Sequence, residues 1–408
     1  MKTDKKYASV FELNGMPKFS QAFPLALQHV VAMIVGCVTP AIVIAGVAGL
    51  EGNDKVIFVQ AALFIAAIST LIQLFPLGGK IGSGLPVIMG VSFAYLPSMQ
   101  AIAGNFDIAT ILGAQLIGCI VAVCVGIFEK KLRVLFPPLI TGTVVFTIGL
   151  SLYPTAVKYM AGGASSPNYG AWQNWLVGFI TLAVVIALNH FAKGILKLAS
   201  ILIGMIVGYI VSGFFGMIDF SAVGSAGMFQ IPQPMYFGMK FEVSAIVTMV
   251  LLFVINSVQA IGDFSATTGG GLDREPTDKE LSGGIVAYGI TNIFGSFFGG
   301  LPTATFSQNV GIVATTKVVN RMVLGLAAVI ILLAGFVPKF SALLTTIPQC
   351  VLGGATISVF ASIAMTGIKL VVQQPLTYRS TSIIGLAVAL GMGITQCSDC
   401  LLYTSPSP

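Results

Sequence analysis

Gln259 and Asp263 stand four residues apart in an apolar run, so on a helix both project from one face. Gln308 and Asn309 follow the stretch Gly299 to Phe306, which resists a simple helix. Pro302 with β-branched Thr303 and Thr305 favours an extended start, and Ser307 is placed to cap a helix running toward Lys317. The first backbone N–H groups of such a helix are free and point toward the break. A carboxamide offers a donor beside an acceptor, matching the N–H and C=O edge of a lactam or imide ring. Together Gln259, Gln308 and Asn309 suit a planar heterocycle; singly, each Gln serves equally well as interhelical packing glue. Asp263 is a carboxylate in apolar surroundings, at a cost of about 2.5–3.5 kcal/mol near mid-membrane on insertion scales. Either it has a functional or structural partner there, or it lies near enough to the interface, with Asp273 and Arg274 following, to be hydrated. His29 has the same two readings: proton traffic, or a plain hydrogen bond to a neighbouring helix.

The elements that must position these groups are membrane spans. Of the 408 residues 56% are hydrophobic and 8% charged, and the mean hydropathy is +0.96, which excludes a soluble globular domain because so few charges cannot cover its surface. The net charge of +6 comes from basic residues scattered in ones and twos, so nucleic acid is not the implied partner. Cys37, Cys119, Cys124 and Cys350 lie in apolar segments and read as small buried hydrophobes, while Cys397 and Cys400 form a CxxC with no second pair. No small-residue cleavage site precedes the first apolar run, which reads as an uncleaved span with a cytosolic N-terminus.

Apolar runs at 22–49, 55–77, 84–103, 107–128, 136–153, 173–192, 197–215, 243–262, 281–298, 301–315, 318–338, 343–365 and 381–396 predict thirteen spans. Alternating loops from a cytosolic N-terminus put only Lys55, Lys158, Lys240 and Lys339, of 20 Lys and Arg, on the outer side. Gly269-Gly270-Gly271 then reads as a cytosolic loop and, lacking the Gly-Lys-Thr/Ser ending, is no phosphate-binding loop. Gly84-Leu85-Pro86 opens span three as Gly300-Leu301-Pro302 opens span ten, and Pro137-Pro138 opens span five as Pro348 opens span twelve. With seven spans per half the copies are inverted, and interrupted helices at matching positions point to a transporter with its site at the midplane. A pair of sevens needs a fourteenth span. Residues 397–408 break the pattern, which reads as a truncated frame with a spurious tail; the other reading is a genuine tail after thirteen spans.

In span three the matching break at Pro86 is followed by Ser92 and Phe93, with Phe93 available to stack on a flat ring or simply to pack. Gln308-Asn309-Val310-Gly311 with Thr316-Lys317 resembles the signature of the nucleobase/ascorbate transporter family (nucleobase:cation symporter type 2; xanthine/uracil permease). That signature reads Gln or Glu, Asn, any residue, Gly, four residues, Thr, then Arg, Lys or Gly. Gln28-His29, Ser92-Phe93 and Gly262-Asp263 extend the likeness to about Gln396. The resemblance implies an all-α polytopic membrane protein in a 7+7 inverted-repeat transporter fold, with short strands in spans three and ten. It divides the chain into a cytosolic segment 1–21, core domain 22–132 and 243–338, gate domain 133–242 and 339–396, and tail 397–408.

It further implies a carrier rather than an enzyme, in the cell membrane, importing a purine such as xanthine or urate by proton or sodium symport with an elevator-like movement. Gln259, Gln308, Asn309, Phe93 and Ser92 would bind substrate, Asp263 and His29 would couple it to the cation, and Gly311, Thr316, Pro86 and Pro302 would shape the motif. No cofactor or metal is implied; the partners are a nucleobase, the bilayer and, optionally, a second copy of the chain. Two departures stand out. Gln259 replaces the usual Glu and cannot take up a proton. Ala94 and Tyr288 stand where several xanthine carriers have Asn and Asp. The alternatives are a uracil permease and an anion carrier or channel of the same fold; a membrane enzyme is disfavoured by two histidines and no clustered carboxylates.

Overall fold

The computed structural model describes residues 8–132, 137–163 and 166–396. The doubtful tail at 397–408 therefore lies outside the described residues. In the first half the elements are α1 (Phe19–Val47), α2 (Gly52–Leu74), β1 (Met89–Val91), a 3-10 turn (Phe93–Tyr95), α3 (Leu96–Asn105), α4 (Ile108–Ile127), α5 (Glu129–Leu132), α6 (Pro138–Ser151), α7 (Tyr153–Met160), α8 (Trp172–Phe191), α9 (Ile195–Leu198), α10 (Ser200–Phe214) and α11 (Ser221–Ser225). In the second they are α12 (Val243–Leu272), α13 (Asp278–Phe297), β2 (Thr303–Thr305), α14 (Ser307–Thr316), α15 (Arg321–Gly335), α16 (Pro338–Thr345), α17 (Gln349–Val371) and α18 (Tyr378–Gln396). Each of the thirteen apolar runs coincides with a helix or a strand-helix unit. Among the described residues seven helices are long and apolar enough to cross a membrane, and an eighth crossing results if α15 and α16, bent by 84°, form one.

The two strands meet each other across the halves of the chain. β1 and β2 pair antiparallel, with Met89 opposite Thr305, Gly90 opposite Ala304 and Val91 opposite Thr303. Two more bonds extend the ladder, from Ser92 N–H to the Pro302 carbonyl at 3.0 Å and from Phe306 N–H to the Ile88 carbonyl at 2.9 Å. Because the strands run oppositely, the helices that follow them leave in opposite directions. Pro86 and Pro302 thus stand just before the two strands, where a missing N–H costs no ladder bond.

Side chains satisfy the outer edges of this short sheet. The Thr70 hydroxyl of α2 accepts from Met89 N–H at 2.9 Å and donates to its carbonyl at 3.1 Å. Asn292 of α13 does the same for β2, accepting from Thr303 N–H at 2.7 Å and donating to its carbonyl at 3.0 Å. A two-stranded sheet in an apolar interior would otherwise bury unpaired backbone groups, at several kcal/mol each in hydrocarbon.

Around the strands the helices form two packing sets. α1, α2, α4, α12, α13, α14 and α15 pack on one another, and α17 packs on α6, α7 and α8, with α10 and α18 joining the second set. α16 lies against α2 and α15, although the boundary at 338/339 places it in the gate; the sharp bend after α15 folds it back onto that set. Span eight is also longer than its apolar run. α12 continues to Leu272, so Gly269, Gly270 and Gly271 are helical and not a loop. The smallness of two of them serves packing, since a Cβ at Gly270 would lie 2.5 Å from the Ala314 Cβ of α14 and one at Gly271 2.9 Å from Val313, whereas a Cβ at Gly269 would meet nothing. Cys37, Cys119 and Cys350 are buried as expected, whereas Cys124 is exposed on the outside of the bundle.

Candidate functional site

Both strand-to-helix transitions open onto one cavity of about 190 Å³. The first contributes Ser92, Phe93 and Ala94, the second Thr305 to Gln308, and α12 contributes Gln259. The opposite wall belongs to the other packing set, through α6 and α17. It includes Val145, Ile148, Ser362 and Thr366, none of which the sequence marks. Hydroxyl and aliphatic residues of long spans carry no local signal that separates a cavity wall from a helix contact.

At the first transition the Ser92 hydroxyl accepts from Ala94 N–H at 3.2 Å, capping the 3-10 turn, so the turn presents the Phe93 ring at a fixed height. That ring sits edge-on to Phe360 of α17, with centroids 5.3 Å apart and planes at 75°. The second transition is tighter. Phe306 lies in a slot made by Gly36 of α1 and Gly90 of β1, where added Cβ atoms would come within 2.3 Å and 2.7 Å of its ring. A Cβ at Gly36 would press on the Phe306 ring alone, and one at Gly90 on both the ring and the Cys37 sulfur.

Ser307 does not cap α14. The helix begins after Phe306, with no side-chain cap, and the Ser307 hydroxyl donates instead to both carboxylate oxygens of Asp263, at 2.9 and 3.1 Å. Thr305 donates to the same carboxylate. The extended residue that precedes the helix is Phe306, so Ser307 is already inside the first turn and not at the capping position, and its hydroxyl proton makes a charge-assisted bond to the buried carboxylate. Asp263 is 9% exposed, well inside α12 rather than hydrated at its end. It stands behind the cavity, gripping two residues that line it.

Asn309 is turned away from the cavity. Its amide nitrogen donates to Nδ1 of His29 at 3.0 Å and to the His29 backbone carbonyl at 3.2 Å. The carbonyl can only accept, so it fixes the amide nitrogen toward His29, which leaves Nδ1 as an acceptor and the ring proton on Nε2. Both residues are 1% exposed. The pair ties α14 to α1, one residue along from the cavity-lining Gln308. Thr316 closes α14 through its hydroxyl, which donates to the Ile312 carbonyl at 2.8 Å. A Cβ at Gly311 would meet nothing, and no contact explains the glycine. Among the described residues no cluster of three or more His, Cys, Asp or Glu could hold a metal.

The same architecture occurs in solved transporters. The transmembrane domain of the cyanobacterial bicarbonate transporter BicA superposes with a TM-score of 0.67 at 18% identity, over 92% of this chain and 96% of that one. SLC26A9 follows at 0.58 and 14% identity, over 93% of this chain and 63% of that one. The class is therefore a mostly helical, multi-span membrane protein of the 7+7 inverted-repeat transporter fold.

Sequence gives the family. The permease family profile matches residues 20–399, and the chain belongs to the xanthine/uracil permease family, whose members are carriers and not enzymes. It is 37% identical over 380 residues to the uric acid permease PucJ of Bacillus subtilis, covering 91% of this chain and 84% of that protein. It is 33% identical over 383 residues to the xanthine permease of the same organism, covering 93% and 87%. The xanthine permease XanP of Escherichia coli K12 is 32% identical over 405 residues, covering 95% and 87%.

Proposed function

We propose that this chain imports a purine nucleobase, xanthine or urate, by cation symport, from a bacterial cell membrane with its N-terminus in the cytosol. The observation that carries the reading is the cavity itself: Gln259 and Gln308 bring two carboxamides to one uncharged pocket, beside the Phe93 and Phe306 rings. Two donor-acceptor pairs with aromatic neighbours fit a flat lactam ring, and an inorganic anion would need neither. The relatives named for urate and xanthine support the purine over uracil.

The cavity lies between the two packing sets, which supports a core of spans one to four and eight to eleven sliding against a gate made by the remainder. Asp263 is the group assigned to coupling, since Gln259 has no proton to exchange and His29 is held by Asn309 as an acceptor. Taking up a cation there would remove the charge that Thr305 and Ser307 now bond to, and so rearrange two residues that line the cavity. One charge moving down 100 mV supplies about 2.3 kcal/mol, close to 50-fold accumulation.

The test is uptake of radiolabelled xanthine, urate and uracil into cells expressing the chain, with and without a protonophore and a sodium gradient. Purine uptake that collapses with one of the gradients is expected, and Asp263→Asn should retain exchange while losing accumulation. Uracil uptake without purine uptake would overturn the substrate, and an unaffected Asp263→Asn would move coupling elsewhere.

A further inference from the structure

Directly behind the 3-10 turn that carries Phe93 lie two tyrosines that no part of the transport reading uses. Tyr95 ends the turn at 0% exposure, Tyr288 of α13 is 1% exposed, and their hydroxyls hydrogen-bond to each other. Phe253 of α12 packs against both rings, with centroids 5.0 Å from Tyr95 and 5.5 Å from Tyr288. Packing alone would be met by phenylalanine at either position. A lone tyrosine there would bury an unpaired hydroxyl, so the two hydroxyls make sense only as a pair.

The pair joins the turn that lines the cavity to the helix that holds β2. α13 already holds β2 through Asn292, while the turn at Tyr95 holds Ser92, Phe93 and Ala94, three lining residues in sequence. The ladder bond from Ser92 N–H to the Pro302 carbonyl fixes the start of the turn relative to β2, and the bond from Tyr288 to Tyr95 fixes its far end, beyond Phe93, so that the two together hold the Phe93 ring relative to Gln308. We propose that Tyr95 and Tyr288 form a specificity-determining positioning pair, fixing the clearance available to a ring substrate without touching it. The proposal rests on the nucleobase-binding reading of the cavity. It assigns size selection to a hydroxyl pair one layer behind the wall.

The experiment compares Tyr95→Phe, Tyr288→Phe and the double variant with the native chain, in uptake of radiolabelled xanthine and uracil and in competition by unlabelled purines with and without ring methyl groups. Each single variant orphans one hydroxyl; the double variant orphans none and keeps the packing. All three are expected at native surface levels, with KM for xanthine raised about tenfold at nearly native maximal rate, the scale of one lost hydrogen bond. Methylated purines are expected not to compete for the native chain and to compete in all three variants. A double variant with native KM and native exclusion would mean that the pair only satisfies its own polar atoms, and would overturn the proposal. So would single variants with unchanged KM. If the native chain carries uracil and no purine, the purine reading fails by itself, and the same KM comparison is made on uracil.

Discussion

Gln259 stands where the family resemblance implies a Glu, and its surroundings say what a carboxamide does there. It lines an uncharged cavity beside Gln308, with Asp263 one turn along the same helix but facing away into Thr305 and Ser307. A carboxamide presents its donor and acceptor at every pH. A carboxyl presents both only while protonated and becomes acceptor-only once ionised. The ratio of the Gln259→Glu KM for xanthine to the native KM, measured at the same pH, should therefore rise as the carboxyl ionises, by about tenfold between pH 4 and pH 8. A ratio that does not change with pH would place Gln259 outside the binding contacts. The sequence made Gln259, Gln308, Ser92 and Phe93 legible because polar or aromatic groups stand out beside helix breaks in apolar spans. Asn309 misled, since adjacency to Gln308 cannot tell which face of a one-turn helix start it occupies. Ser307 misled for a different reason: the helix starts one residue earlier than the capping rule places it, and the hydroxyl's partner is a carboxylate 44 residues away in sequence.

At the scale of elements, the motif ends in the same way as the helix beside it. α14 stops at Lys317 (φ 58°) and α12 at Asp273 (φ 53°), both left-handed, and the two side chains form an ion pair at 2.7 Å. This gives a physical reason for the last signature position accepting Gly as well as Lys or Arg. The conformation favours glycine, at about 1 kcal/mol for other residues, and the exposed ion pair returns at most about as much. Lys317→Gly should accordingly leave stability within about 0.5 kcal/mol of native, whereas Lys317→Val, strained and unpaired, should cost about 1–3 kcal/mol. Thermal unfolding of purified protein in detergent separates the two, and equal losses would show that the ion pair, not the backbone, governs this end. Pro302 and Thr303 made β2 readable, and the Gly84 echo made β1 readable. The register between them was not, because it depends on Thr70 and Asn292, which look like ordinary polar residues within their spans.

For the whole molecule, the charge pattern and the packing agree on two ends. The segments holding Lys55, Lys240 and Lys339 gather at one of them: Lys55 reaches the Thr345 carbonyl, Lys240 pairs with Asp107, and Lys339 N–H meets the Gly227 carbonyl. At the other end lie the pairs Lys130–Asp278 and Arg274–Glu280 and the contacts of Asn320 with the segment from Ser9 to Gly15. The segregation was readable because loop charge depends on topology alone. Contacts between the two packing sets were not readable, and they decide what can move. Near the first end, the Thr155 hydroxyl of α7 donates to Gln100 of α3 at 3.2 Å, and the Tyr159 hydroxyl donates to the Val43 carbonyl of α1 at 3.4 Å. If one set slides past the other, both bonds must break in each cycle; if the chain works by loop movement alone, neither need break. Thr155→Cys with Gln100→Cys, joined by a reducible bis-methanethiosulfonate cross-linker that replaces the reach of the lost glutamine, should halt net xanthine uptake by more than about tenfold and recover on reduction, while each single variant stays active. Substrate binding to the cross-linked protein, read by equilibrium binding of labelled xanthine, should survive, because the cavity's own walls are untouched. Full uptake by the double variant, with the cross-link verified by mass spectrometry, would exclude a sliding movement at this boundary, since a covalent tether there permits only motions that leave α3 and α7 together.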